Sequence, residues 1–165
     1  MTDLQTIENE IDADPESIKL VTFTVGEIVL GLDIAQVQEI GRHLDVTKVP
    51  GASPMIHGVV NLRGDVVTVL DPHRIFGIEP SQSPENCRNL ILNLGGERIG
   101  VLVDQVSDIL SVKSSELSRR PSNISSIDRQ FIDSVYLRDE EIVVVLNATQ
   151  LIDAIEQPSD QAKVA

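Results

Sequence analysis

A single cysteine, Cys87, in a chain of 165 residues leaves no partner for an internal disulfide and no multi-cysteine zinc site. Aromatic residues are scarce, with no Trp, one Tyr and three Phe. Base-stacking platforms need aromatic faces, so nucleic acid loses support, as do carbohydrates and flat aromatic ligands. Basic residues are the minority sign: 13 Lys and Arg stand against 26 Asp and Glu, a formal net charge of −13. Such a surface repels phosphate backbones and anionic lipid. No apolar run approaches the ~18 residues of a membrane span. Met1 to Gln5 carries neither a basic region nor an apolar stretch. Neither direct membrane insertion nor a secretory signal is expected, and a cytoplasmic protein fits these absences.

What is present is an ordinary globular composition, 41% hydrophobic and 24% charged, with room for one domain or two very small ones. Asp3, Glu8, Glu10, Asp12, Asp14 and Glu16 stand in residues 1–17 without a Lys or Arg, leaving −7 for the remainder. This reads as a disordered acidic arm, and residues 157–165 as a loose polar tail. Between them the chain is rich in β-branched residues and punctuated by glycine. Lys19–Val25 and Ile28–Leu32 read as strands around Gly26-Glu27, with a helical turn at Asp33–Gln36 and a third strand from Val37 to Arg42. Gly58–Leu62 and Asp65–Leu70 form a hairpin around Arg63-Gly64. Asp71-Pro72 has the chemistry of a helix cap followed by proline, and Gly77 that of a stop. Glu79 to Pro84 reads as a linker.

The second half repeats the first. At a shift of 69 positions Gly26, Gly31, Gln36, Val37 and Ile40 fall on Gly95, Gly100, Gln105, Val106 and Ile109, and Glu39 falls on Asp108. At a shift of 75, Val60-Asn61-Leu62-Arg63 falls on Val135-Tyr136-Leu137-Arg138, with one residue entering at the turn. Val69-Leu70-Asp71 then matches Val145-Leu146-Asn147, and a helix from Asn147 to Ile155 answers the one after Asp71. Chance similarity among Val-rich strands does not reproduce both glycines, the turn and the capped helix in order, so duplication is the better account. Halves of ~70 residues are marginal alone. Closing each into a small barrel and packing the two together shares burial and leaves a groove between them.

The segments Gly31 to Ile40, Thr47-Lys48-Val49-Pro50, Ile56 to Gly64, Val69-Leu70-Asp71 and Gly100 to Val106 closely resemble the CheW-like domain. The resemblance covers about residues 18–155. It implies an all-β fold, mainly β with short helices, of two SH3-like five-stranded β-barrels. On this reading residues 18–156 form the domain, with a first barrel at about 18–80 that also receives crossover contributions and a second at about 86–156. Family members couple the cytoplasmic tip of chemoreceptors to the histidine autokinase CheA. The length resembles the stand-alone coupling member, since no kinase, ATP-binding or receiver sequence is present. The resemblance further implies receptor contact through Val37, Glu39, Arg63 and Ile109 near the groove, kinase contact through the first barrel, self-association in receptor arrays, and recruitment to membrane-associated arrays. Asn61 and Gly64 are expected to brace the hairpin. The chain departs from the family in Asp71-Pro72-His73-Arg74, where an aliphatic residue and Arg are usual.

No enzymatic motif competes. Gly95-Gly96-Glu97-Arg98-Ile99-Gly100 lacks both phosphate-loop spacings and reads as a hairpin turn. No Gly-x-Ser-x-Gly elbow occurs. His43, His57 and His73 are scattered; Asp71 with His73 is better read as a helix cap beside an exposed His than as a metal pair. Arg88 beside Cys87 would lower a thiol pKa, though an incidental cysteine is the simpler reading. Neither cofactor nor metal nor catalytic residue is expected. Without the family, Glu39 and Arg63 are candidate interface charges, with solvated charges or an intramolecular Glu39–Arg63 pair slightly ahead as the reading. The alternatives are a scaffold of the same family in pilus-driven motility or development, a ligand-binding β-barrel, and a serine hydrolase.

Overall fold

The computed structural model describes residues 17–41, 45–81, 83, 86–119 and 129–156. The acidic arm up to residue 16, Arg42 at the expected end of the third strand, His43, residues 120–128, which overlap the Ser-rich insertion that sets the second half apart at about 113–126, and the tail from residue 157 lie outside these. The described chain is mainly β. Strands β1 (Ser17–Val25), β2 (Ile28–Asp33), β3 (Val37–Gly41), β4 (Ile56–Leu62) and β5 (Asp65–Leu70) precede helix α1 (Pro72–Phe76). They are followed by β6 (Arg88–Leu94), β7 (Glu97–Val103), β8 (Gln105–Lys113), β9 (Leu117–Ser118), β10 (Ile132–Arg138), β11 (Glu141–Leu146) and helix α2 (Ala148–Glu156).

The local signals act as their chemistry dictates. The Asp71 carboxylate accepts the His73 amide at 3.0 Å, Pro72 opens α1, and Gly77 ends it in the left-handed region at φ 67°. Asp33 caps the 3-10 turn Ile34–Gln36 by accepting the Ala35 amide. This short turn carries the chain off its own hairpin, which decides the topology.

The two sheets do not divide at the midpoint of the chain. One has the order β8-β1-β2-β11-β10-β9 and the other β3-β6-β7-β5-β4. Each therefore takes the leading hairpin of one half and the remaining strands of the other. β3 leaves β1 and β2 to pair with β6, and β8 leaves β6 and β7 to pair with β1. Parallel pairing of β11 with β2, and of β5 with β7, completes the exchange. The sheets hold six and five strands, because two-residue β9 from the insertion adds an edge to the first.

The registers repeat as the duplication requires. Val21 faces Leu32 as Leu90 faces Val101, and Val21 faces Ile109 as Leu90 faces Ile40. The second hairpin differs from its expected alignment by one residue. Val60 faces Val67 as Tyr136 faces Val143, and Asn61 faces Val66 as Leu137 faces Ile142, a shift of 76 on both strands with no residue entering at the turn. Arg63 thus corresponds to Asp139, and Leu62 to Arg138. The sequence match of Leu-Arg to Leu-Arg is a one-residue slip, which the alternation of buried and exposed positions corrects.

The core is shared. Val21, Phe23, Leu30 and Leu32 of one sheet and Leu90, Leu92, Val101 and Val103 of the other lie in one contiguous buried cluster. Each sheet keeps a smaller cluster on its other face, Leu20, Val112 and Val145 in the first and Val60, Val67, Val69, Cys87 and Leu102 in the second. β1 is covered on both faces, so Thr22 is as buried as Val21 and Phe23 although Val21 to Val25 alternates apolar and polar. Phe76 of α1 meets Phe131 edge-on at 5.8 Å.

Candidate functional site

Glu39 stands on β3 and Arg63 at the tip of the β4–β5 hairpin, at opposite edges of the five-stranded sheet. Their side chains nevertheless meet, Arg63 Nη1 to Glu39 Oε2 at 2.9 Å. The sheet therefore curls until its edges approach. The other sheet curls likewise, and Arg138 of β10 reaches Asp108 of β8 at 3.1 Å. Each sheet is thus drawn together by one arginine–carboxylate contact.

Local geometry aims these groups. The register of β3 slips between Val37 and Glu39, and that of β8 between Val106 and Ile109, one extra residue in each case. Such bulges re-aim the side chains beside them. Arg63 and Gly64 occupy the two-residue turn with φ of 54° and 91°. A turn with both residues in the left-handed region suits the twist of the strands, and glycine takes its second place without penalty. The Asn61 carboxamide oxygen accepts the Gly64 amide at 3.0 Å, tying the turn down. Asp65, at the start of β5, pairs with Arg98 of the neighbouring strand β7.

Of the four residues expected at a receptor surface, the structure brings together Glu39 and Arg63. Arg63 is 69% exposed along its side chain and Glu39 29%. Ile109 lies on the other sheet and packs half-buried on the shared core, as does Ile40 at the equivalent place. Val37, also expected there, is 7% exposed and packs in the core beneath β3. It precedes the bulge, where inward alternation still holds. A cleft of about 740 Å³ is lined by other residues, among them Lys48, Ile56, His57, His73, Arg74 and Cys87.

Asp71 and His73 of that lining belong to a buried polar cluster. His73 is 6% exposed, not the exposed residue expected, because the short α1 turns it inward. Its Nδ1 stands 2.8 Å from Asp71 Oδ1 and its Nε2 2.8 Å from Asp104 Oδ1. Asp104, fully buried, also accepts the Gly26 amide at 2.6 Å and both the amide and hydroxyl of Ser81 at 3.1 and 2.9 Å. One carboxylate thereby gathers the β1–β2 turn, α1, the linker and the β7–β8 junction. Gly26 is required there, at φ 60°, since a Cβ would stand 2.7 Å from the Glu79 carbonyl oxygen. Burial alone would push the pKa of His73 down, but its bonds to Asp71 and Asp104 outweigh this and hold it above the ordinary histidine value. Burial likewise works to raise Asp71 and Asp104, yet hydrogen bonds from His73, Ser81 and Gly26 hold both below the usual carboxylate range. Cys87 is pushed up to about 11 by burial and by the nearby Asp104 charge, so the thiol is unactivated despite Arg88.

The cluster predicts a pH window. A histidine with a raised folded-state pKa contributes its stability fully below the unfolded value of about 6.5 and loses it as pH rises through the folded value. The two lowered aspartates contribute above about 4 and lose it as pH falls through their folded values. Urea midpoints should therefore decline on both sides of the interval between them. His73→Gln should abolish the alkaline limb and also soften the acid limb, since the ring helps hold both carboxylates down; an unchanged alkaline limb would remove His73 as its source.

Comparison with known proteins places the fold in a family. A family profile described as the CheW-like domain matches residues 19–156. The chain belongs to the CheW-like family. Chemotaxis protein CheW of Treponema pallidum is 27% identical over 145 residues, covering 86% of this chain and 85% of that protein. The protein of the same name from Klebsiella aerogenes is 28% identical, covering 84% and 83%. The crystal structure of the scaffolding protein TtCheW from Thermoanaerobacter tengcongensis superposes with a TM-score of 0.73 at 28% identity, over 79% of this chain and 84% of that one. The chain is thus a CheW-like scaffold protein of the chemotaxis type, with the family's β fold. Among the described residues no helix is long and apolar enough to cross a membrane.

The sequence pointed to Glu39 and Arg63, but not to Asp104 and His73, which lie 31 residues apart and meet only through folding. The one available signal was Asp71-Pro72-His73, a cap followed by proline and histidine where the family resemblance leads one to expect an aliphatic residue and Arg.

Proposed function

We propose that this scaffold is a non-enzymatic adaptor that couples the cytoplasmic tip of chemoreceptors to the histidine kinase CheA, recruited to membrane-associated receptor arrays. The observation that carries the reading is the Glu39–Arg63 pair. An exposed ion pair adds only about 0–1 kcal/mol to stability, and Arg63 sits in a backbone conformation that disfavours side chains. Stability is a poor reason to keep it. An arginine already oriented by a carboxylate, with its planar face and further donors open to solvent, is a good interface anchor. Glu39, Arg63 and Ile109 form the receptor-facing set, and Val37 holds β3 from beneath. A separate surface takes the kinase. Holding both partners makes their encounter effectively intramolecular, and receptor changes then shift the kinase between populations.

Arg63→Ala should weaken binding of a purified receptor-tip fragment by about 1–3 kcal/mol while leaving the melting temperature nearly unchanged. Titration calorimetry reads the first and thermal melting the second. An unaltered affinity in the folded variant removes Arg63 from the contact. Capture of CheA by the same variant at wild-type level would separate the two surfaces.

A further inference from the structure

The bulge in β8 is pinned by a side chain that has no counterpart in the other half. Thr22 of β1 lies opposite the extra residue, between the pairs Phe23–Val106 and Val21–Ile109. Its side chain is buried, with the residue 1% exposed. Its hydroxyl donates to the Asp108 carbonyl at 2.8 Å and accepts the Asp108 amide at 2.9 Å. A bulge leaves backbone groups out of the strand ladder, and a buried backbone group without a partner is costly. One hydroxyl here replaces both missing bonds of one residue. In the other half the position facing the β3 bulge is Ile91, an apolar residue that pairs with Glu39 and offers no such bond.

Asp108 is thereby held twice, by its backbone through Thr22 and by its carboxylate through Arg138 at 3.1 Å. Ile109 follows directly. Its place on the shared core is set by where the bulge ends and regular pairing with Val21 resumes. A residue less in the bulge would turn Ile109 to the opposite face of β8, because side chains alternate along a strand.

We infer that Thr22 is a positioning residue for the receptor-facing surface: its hydroxyl fixes the β8 bulge and so the direction in which Ile109 meets the partner. The inference rests on the receptor-binding reading above. Thr22 touches no partner itself. The γ-methyl fills core space, while the hydroxyl does the positioning, so the two contributions are separable by substitution.

The test compares Thr22→Val, Thr22→Ser and Arg63→Ala for binding to a purified receptor-tip fragment, with melting temperatures recorded alongside. Valine keeps the shape and removes the hydroxyl; serine keeps the hydroxyl and removes the methyl. Thr22→Val should weaken binding about threefold to tenfold, the worth of a hydrogen-bonded arrangement lost. Thr22→Ser should bind like the wild type even where its melting temperature falls. Equal loss in the serine and valine variants would assign the effect to packing and overturn the inference. Wild-type binding by Thr22→Val, with Arg63→Ala impaired, would also overturn it while the receptor reading stands. Wild-type binding by Arg63→Ala would instead overturn the receptor reading. Amide exchange on the unmodified protein guards against a variant that fails to fold. The Asp108 amide should be protected, and exchange at the unprotected rate would remove the pin itself.

Discussion

Asp104→Ala is expected to lower the free energy of unfolding by about 3–5 kcal/mol, the range for removing one partner of a buried charged pair. The substitution leaves the His73 Nε2 facing an empty space and strips the Gly26 and Ser81 amides of their acceptor. Four segments distant in sequence lose the atom that joins them. Asp104→Asn should cost less, because an amide oxygen still accepts from Ser81 or Gly26 although the charge opposite His73 is gone. Urea unfolding measured at pH 6, where His73 carries its proton, reads both. A loss below about 1 kcal/mol for the alanine variant, the size of an ordinary surface change, would show the cluster to be inessential.

Phe23→Ala is expected to cost a similar amount, about 3–5 kcal/mol. Phe23 is fully buried and faces Leu30 of β2 on one side and Val106 of β8 on the other. It sits in the cluster to which both sheets contribute, so the cavity opens between the sheets rather than within one. The loss should therefore reach function. β8 carries Asp108 and Ile109, and a loosened β1–β8 pair presents them less uniformly. Receptor-tip binding should fall in Phe23→Ala even at temperatures where the variant is folded. The comparison is with Leu20→Ala, which empties the smaller cluster on the other face of β1. That variant should lose stability with less effect on binding. Equal binding losses in the two would argue against a special role for the shared core.

These two expectations and the pH dependence at His73 concern one design. The chain is duplicated, yet neither copy completes a sheet by itself; each lends its leading hairpin to the other's sheet. A seam made this way needs fastening where the segments cross. Apolar packing supplies most of it around Phe23, and Asp104 with His73 supplies a directional part around the linker. The exposed pairs Glu39–Arg63 and Asp108–Arg138 lie where each sheet curls on itself, away from that fastening. If the proposed receptor surface is right, stability and recognition rest largely on different residues, and Arg63 can be changed with little effect on folding.

The sequence by itself determined much of the local structure. Alternation and β-branched residues placed the strands, Gly26 and Arg63-Gly64 placed the turns, and Asp71-Pro72 with Gly77 bounded α1, because turn and cap chemistry act over a few residues. The repeat of glycines at Gly31 and Gly100 made the duplication and the family legible, and with them Glu39 and Arg63. Only the tertiary structure decided which strands pair. Nothing local in Val37 to Gly41 distinguishes β6 from β1 as a neighbour, since both offer the same repeated pattern; the 3-10 turn after β2 and the burial of both halves in one core select the exchange. Tertiary structure also decided that Arg138 answers Leu62 rather than Arg63, because register follows burial on both faces. It placed Val37 in the core, and it turned His73 inward onto Asp104. Those outcomes depend on contacts between residues far apart in the chain, where side-chain type fixes what a residue can do but not what it meets.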